Sequence, residues 1–234
     1  EGRFTLGIGP GGLRSDWEVF GNLEADRNAM FVECIDQILA IWAGEAPYDI
    51  EGRFWNISTK KTLLREAGQG LILKPYQKPH PPIVVTAVAP HSRGVTEAAK
   101  RGWTPVSANF LLPEWVASHW PKYREGCESA GKKPDPADWR VAKSIFVADD
   151  EATAKRYGLS AEGPYHFYFK QLARKLIFGG RSNLFKLDQS EPDASITPEA
   201  ITQKLVIAGT VPSVVEQILA FREKVGAFGT LYYP

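Results

Sequence analysis

"IVVTAVAPHSRGVTEAAKRGWTPVSANF" occupies Ile83–Phe110, and its reading decides the fold. Ile83 to Ala89 is a continuous apolar run rich in β-branched residues. A strand with one wet face would alternate, so an unbroken run fits a parallel strand covered on both faces. Ser92 to Arg101 then reads as a helix stopped by Gly102, and Thr104 to Phe110 as the next strand. Strand, helix and strand at this spacing define a parallel α/β protein.

The same alternation extends outward in both directions. Upstream, Arg3–Ile8 reads as a strand emptying into glycines, and Asp16–Phe20 as a short helical turn. Asp26 is a candidate N-cap for a helix through Ala43, along which Met30, Phe31, Cys34, Ile35, Ile38, Leu39 and Trp42 recur at helical spacing. Tyr48–Ser58 alternates around Glu51-Gly52, which predicts a hairpin outside the main repeat. Downstream, the pattern predicts a helix over Pro113–Ala130, a strand over Trp139–Ala148, a helix from near Asp150 and an aromatic-rich helix over Pro164–Ile177. Phe178–Ser195 has no clear period. Thr197-Pro198 opens a helix through Ile207, Val211-Pro212 opens another that stops at Gly226, and "FGTLYYP", Phe228–Pro234, is a last strand.

Five strands of this kind suit an α/β (β/α)8 TIM barrel in which later βα units are represented; a doubly wound sheet is the alternative. The chain opens and closes inside strands, and its only Met is Met30. The expectation is one barrel domain over residues 1–234, excerpted from a longer chain that supplies the N-terminal strands and a C-terminal tail.

Composition narrows the function. The 234 residues carry a formal net charge of +1, with 44% hydrophobic and 24% charged residues, which affords a full core and no basic surface for nucleic acid or an anionic membrane. No signal peptide or membrane-length apolar run is visible, so a cytoplasmic protein is expected. Cys34 and Cys127 fall in predicted helices without metal spacing and read as buried, reduced thiols. Seven Trp, eight Tyr and twelve Phe exceed what a minimal core needs, so some are candidates to line a pocket for a flat or apolar ligand.

Ligands of either α/β architecture bind at the C-terminal ends of the strands. Gly7, Gly9, Gly11 and Gly12 sit at one such end, serving either a tight turn or close approach of a ligand. His91, Ser92, Arg93 and Gly94 sit at another, where a helix begins. Free first-turn amides, a hydroxyl and a guanidinium make either a phosphate cradle or an ordinary capped helix with a solvated arginine. His80 reads as structural or exposed, His119 as packed or at the surface, and His166 as either a pocket histidine or a satisfied core one. No metal or hydrolase motif is present, and these patterns alone name no catalytic residue.

Together the motifs resemble the family of bacterial luciferase-like, flavin-dependent monooxygenases. The similarity is carried by "GRFTLGIGPGGLRSDWEVFG" (Gly2–Gly21), Arg27 and Glu33 in the next helix, "EGRFWNI" (Glu51–Ile57), "KPYQKPHPPI" (Lys74–Ile83), "PHSRGVTEAAKRGW" (Pro90–Trp103) and "FGTLYY" (Phe228–Tyr233). Within the family the chain is most similar to the alkanal and limonene monooxygenase type. The resemblance implies a (β/α)8 barrel that uses reduced FMN, supplied by a separate flavin reductase, and O2 to oxidise a small apolar organic substrate such as an aldehyde or terpene. It also implies a homo-oligomer. It places Gly9, Gly11 and Gly12 beside the flavin, Ser107 and Asn109 near its ring system, and His91, Ser92, Arg93 and Gly94 at its phosphate. It makes His166 the catalytic candidate and Phe178–Ser195 a mobile lid. Gly9 and Pro10 stand where light-emitting luciferases have Cys and Arg, which argues against light emission and leaves Arg93 as the phosphate cation. Three alternatives stand beside it: an F420-dependent oxidoreductase of the same superfamily, a non-catalytic flavoprotein or partner subunit, and, from the tryptophans and carboxylates, a sugar-binding barrel hydrolase with two carboxylates across a cleft.

Overall fold

The computed structural model describes residues 2–233; Glu1 and Pro234 lie outside the described residues, and with Pro234 goes the last residue of the expected strand over Phe228–Pro234. The chain divides into two compact units, Glu1–Ile83 and Val84–Pro234.

In the first unit, strand β1 (Leu6–Ile8) is shorter than the expected Arg3–Ile8, and the Leu6 N–H donates to the Pro82 carbonyl at 2.8 Å. Helix α1 (Arg14–Val19) follows the glycines. Helix α2 (Arg27–Ala43) starts where its sequence signal predicts: the Asp26 carboxylate accepts the Ala29 N–H at 3.0 Å. At its other end the Lys74 ammonium donates to the carbonyls of Ile41 and Gly44 and to the Tyr48 hydroxyl. A cation there complements the negative end of the helix dipole. Strands β2 (Asp49–Ile50) and β3 (Ile57–Ser58) pair antiparallel as the expected hairpin. Glu33 on α2 holds the hairpin loop by accepting the N–H groups of Arg53, Phe54 and Trp55 at 2.9, 2.9 and 3.0 Å. Burial would raise the Glu33 carboxyl, but these three N–H donors outweigh it and hold its pKa below the usual value. Ile41, Ala46 and Tyr48 form the local core with Ile50, Ile57 and Leu63.

The second unit is built on parallel ladders. Strand β4 (Ile83–Ala87) leads to helix α3 (Arg93–Lys100) and strand β5 (Thr104–Ser107), in register from Val84↔Thr104 to Ala87↔Ser107. Helices α4 (Pro113–Ala117) and α5 (His119–Ser129) replace the single helix expected over Pro113–Ala130. Pro121 explains the break: it has no N–H to give the Ala117 carbonyl four residues back, and its ring crowds that carbonyl.

The expected strand over Trp139–Ala148 is likewise two pieces. Strand β6 (Arg140–Ala142) pairs with β5, whereas β7 (Ser144–Val147) does not. Helix α6 (Glu151–Ala154), capped by Asp150, runs into a π-helical turn over Lys155–Leu159, and helix α7 spans Pro164–Phe178. Helix α8 (Pro198–Leu205) is capped by the Thr197 hydroxyl on the Ala200 N–H and ends before Ile207. Val206–Gly209 is strand β8, fully buried and paired with β7 from Ser144↔Val206. Val206 and Ile207, expected at the end of the helix, follow α8 without a turn residue between; the β-branched pair closed by Gly209 is the strand signal. Helix α9 (Val211–Val225) returns the chain to strand β9 (Thr230–Tyr232), which pairs with β6.

The main core joins sheet and α9 through Trp139, Val141, Ile145, Ile207, Val214, Phe221 and Val225. Cys127 is buried as expected, but Cys34 is exposed on α2; both thiols are free. Among the described residues, no helix is long and apolar enough to cross a membrane.

Candidate functional site

In the second unit the C-terminal ends of β4 and β5 lie side by side, because Ala87 and Ser107 are register partners. The chain leaving β4 passes Ala89, Pro90 and His91 before α3 begins at Arg93. The Ser92 side chain caps no helix N–H, and Arg93 is exposed. Among the described residues neither side chain has a hydrogen-bond or salt-bridge partner. The nearest atom to a Cβ built on Gly94 is the Ser92 hydroxyl, at 3.5 Å. The Val95 N–H is taken by the Ser92 carbonyl at 3.1 Å, and Arg93 lies close enough to Glu97 to help lower its pKa, so the α3 N-terminus presents the Arg93 and Gly94 amides, one hydroxyl and one guanidinium that makes no hydrogen bond, a donor set suited to a phosphate monoester.

Beneath this turn lies a buried polar network. Ser107, His119 and Trp139 are all wholly buried. His119 Nε2 is 2.9 Å from the Ala89 carbonyl, which can only accept, so Nε2 carries the proton. Nδ1 is then the acceptor of the Ser107 hydroxyl at 2.8 Å, and Ser107 Oγ in turn accepts the Trp139 indole N–H at 3.0 Å. Burial pushes the imidazole pKa down to about 4, so the ring is neutral near pH 7 and this single tautomer serves every partner.

The Ser107 hydroxyl, expected near a flavin ring, is buried and committed to His119 and Trp139, and so ties the end of β5 to this network. Asn109 is partly buried and also engaged, donating to Ser144 Oγ at 3.0 Å and accepting from the Tyr168 hydroxyl at 3.4 Å. His119, expected to be merely packed or at the surface, is the centre of the network; nothing in its local sequence distinguishes it, because its partners lie 12 and 30 residues away.

His166 on α7 is buried, and its Nε2 donates to the Glu199 carboxylate in the first turn of α8 at 2.8 Å. That bond ties two helices together and occupies the ring nitrogen that reaches it. His80 is partly buried, with Nδ1 2.7 Å from the Pro81 carbonyl. The expected lid is anchored at its centre: Leu184, Phe185 and Lys186 are buried, and Lys186 Nζ donates to the Glu191 carbonyl and the Asp193 carboxylate, each at 2.7 Å. Any closing movement of Phe178–Ser195 must therefore hinge outside these residues or unseat them.

The glycine loop belongs to the first unit. Gly11 has φ +78° and lies against the Trp17 indole, so it is a turn glycine. A Cβ built on Gly9 or Gly12 meets no heavy atom within 4 Å. Packing inside the chain does not require glycine at either place.

The luciferase-like monooxygenase family profile matches residues 1–227, and the chain belongs to that family. It is 30% identical to 3,6-diketocamphane 1,6-monooxygenase of Pseudomonas putida, over 99% of this chain and 65% of that protein. It is 26% identical to limonene 1,2-monooxygenase of Rhodococcus erythropolis, over 98% of this chain and 54% of the relative. Among solved structures, the FMN complex of the oxygenating constituent of 3,6-diketocamphane monooxygenase from Pseudomonas putida, described as a type II Baeyer-Villiger monooxygenase, superposes with a TM-score of 0.79. That match has 28% identity and covers 99% of this chain and 64% of the other. The chain thus spans less than two thirds of the length of these relatives. The fold is the luciferase-like TIM-barrel type.

Proposed function

We propose that the protein is a flavin-dependent monooxygenase that uses reduced FMN and O2 to oxidise a small apolar organic substrate. The observation that carries this reading is the donor set of Ser92, Arg93 and Gly94 at the mouth of β4, in a chain similar to an enzyme seen with FMN. In this reading the α3 amides and the Ser92 hydroxyl bind the FMN phosphate, and Arg93 supplies the charge. His91 is part of the turn that shapes this cradle. Bound reduced FMN would supply two electrons, so that one atom of O2 enters the substrate and the other leaves as water. The protein's own work is to bind, orient and exclude water. Asn109 limits the site at the end of β5. Gly9, Gly11 and Gly12 are assigned to flavin contact on the family resemblance. His166 keeps a role through its hydrogen bond to Glu199, holding the α7–α8 pair. A separate flavin reductase is the implied partner.

Arg93→Ala tests the assignment. It is expected to weaken FMN far more than riboflavin, which lacks the phosphate; equal loss of both would refute the cradle. A second reading is hydride transfer with F420. An F420-dependent secondary alcohol dehydrogenase shares the fold at a TM-score of 0.66 and 18% identity, a likeness of fold alone. Turnover that depends on O2 and a flavin reductase selects the first reading, and O2-insensitive turnover with F420 selects the second. FMN binding without turnover under either condition points to a non-catalytic flavoprotein.

A further inference from the structure

We infer that Ser118 and His119, adjacent at the junction of α4 and α5, are a positioning pair that holds the Ala89–Gly94 turn in the shape that receives a phosphoryl group. The inference rests on the phosphate-cradle reading above and concerns residues that do not touch the phosphate themselves. His91 has φ +51°, the left-handed region, which a residue with a Cβ enters only at a conformational cost. Something must hold it there.

Ser118 does so directly. Its Oγ accepts the His91 N–H at 2.9 Å, and its own proton goes to the Trp115 carbonyl at 2.6 Å, which leaves a lone pair facing His91. His119 grips the same turn two residues earlier, at the Ala89 carbonyl. Between these points stands Pro90, whose ring fixes its own φ. One carbonyl, one fixed torsion and one amide are thus set in succession immediately before Ser92 and Arg93. The orientation of the α3 entrance follows from them. His91 also packs edge-on against Trp115, ring centroids 6.3 Å apart, so the residue that accepts the Ser118 proton flanks the turn as well.

The test compares FMN with riboflavin. Ser118→Ala is expected to raise the FMN Kd about tenfold, the effect of one lost hydrogen bond, with riboflavin affinity nearly unchanged. Amide exchange at His91–Gly94 should quicken in the same variant. Ser118→Cys keeps the volume and gives up the strong acceptor, so it should do likewise; Ser118→Thr, which restores the hydroxyl, should recover FMN binding. In an Arg93→Ala background the Ser118→Ala effect should largely disappear, because both act on the phosphate. Equal weakening of FMN and riboflavin, or unchanged FMN affinity with unchanged exchange, would overturn the inference. If the unaltered protein shows no preference for FMN over riboflavin, the cradle reading itself fails. The exchange rates of His91–Gly94 then still decide whether Ser118 holds the turn.

Discussion

The Nδ1 of His119 accepts a hydrogen bond from the Ser107 hydroxyl across 2.8 Å, at a site neither residue exposes to water. The bond links the end of β5 to the start of α5, and through the opposite ring nitrogen to the exit of β4. A buried polar chain is stabilising only while every member is satisfied.

Removing the middle hydroxyl should therefore be expensive. Ser107→Ala leaves both the Trp139 indole N–H and His119 Nδ1 without partners in a dry interior. The expected loss is about 2 kcal/mol, read as a lower urea midpoint with unchanged slope. A loss below about 0.5 kcal/mol would mean that the network carries no stability.

The same histidine predicts a pH dependence. Its folded pKa of about 4 lies below the ordinary 6.5, so between these values the unfolded chain binds the extra proton. Stability is full above about pH 6.5, falls as the pH drops, and has lost about 3 kcal/mol by pH 4. Urea midpoints from pH 4 to 7.5 for the parent and for His119→Gln should converge toward acid; parallel curves would contradict the assignment.

Two glycines should respond in opposite ways to a side chain. A Cβ at Gly126 would lie 2.3 Å from the Thr96 carbonyl and 2.6 Å from the Ala99 methyl, where α5 meets α3. Gly126→Ala should thus cost about 1–3 kcal/mol. Gly9→Leu meets no protein atom at Cβ and should shift Tm by no more than about 2 °C. If the loop contacts flavin, it should nevertheless weaken flavin binding; undiminished affinity removes Gly9 from the site.

Lys186 should control the order of the segment after α7. Its ammonium is buried and joins the Glu191 carbonyl to the Asp193 carboxylate. Lys186→Met keeps the stem and removes both bonds. Faster amide exchange and proteolysis over residues 186–195 are expected, with little change near β4. Unaltered exchange would show that Leu184 and Phe185 alone anchor the segment.

Much of the fold was legible because local signals agreed with it. The apolar run at Ile83, the Asp26 and Thr197 caps and the alternation around Glu51-Gly52 each fix an element by short-range chemistry. The misses have two kinds of cause: a local signal masked by a stronger period, or a dependence on a distant partner. Pro121 interrupts a helix whose apolar period continues through it. The strand over Arg140–Val147 changes neighbours at Lys143, and β8 follows α8 without punctuation. The site was legible only as an outline. His91 to Gly94 could be read as a helix entrance, but Ser118 and His119 become informative only when folding brings them to that turn.

The change of neighbour at Lys143 reaches beyond assignment. Strands β8 and β9 are joined to each other by α9, and each pairs with a different half of Arg140–Val147, while the Lys143 N–H itself donates to the Tyr232 carbonyl at 2.9 Å. That strand works as a clasp across both feet of an arch. Deuterium should enter the two ladders in one concerted opening, because neither foot can lift without loosening the bar that secures the other.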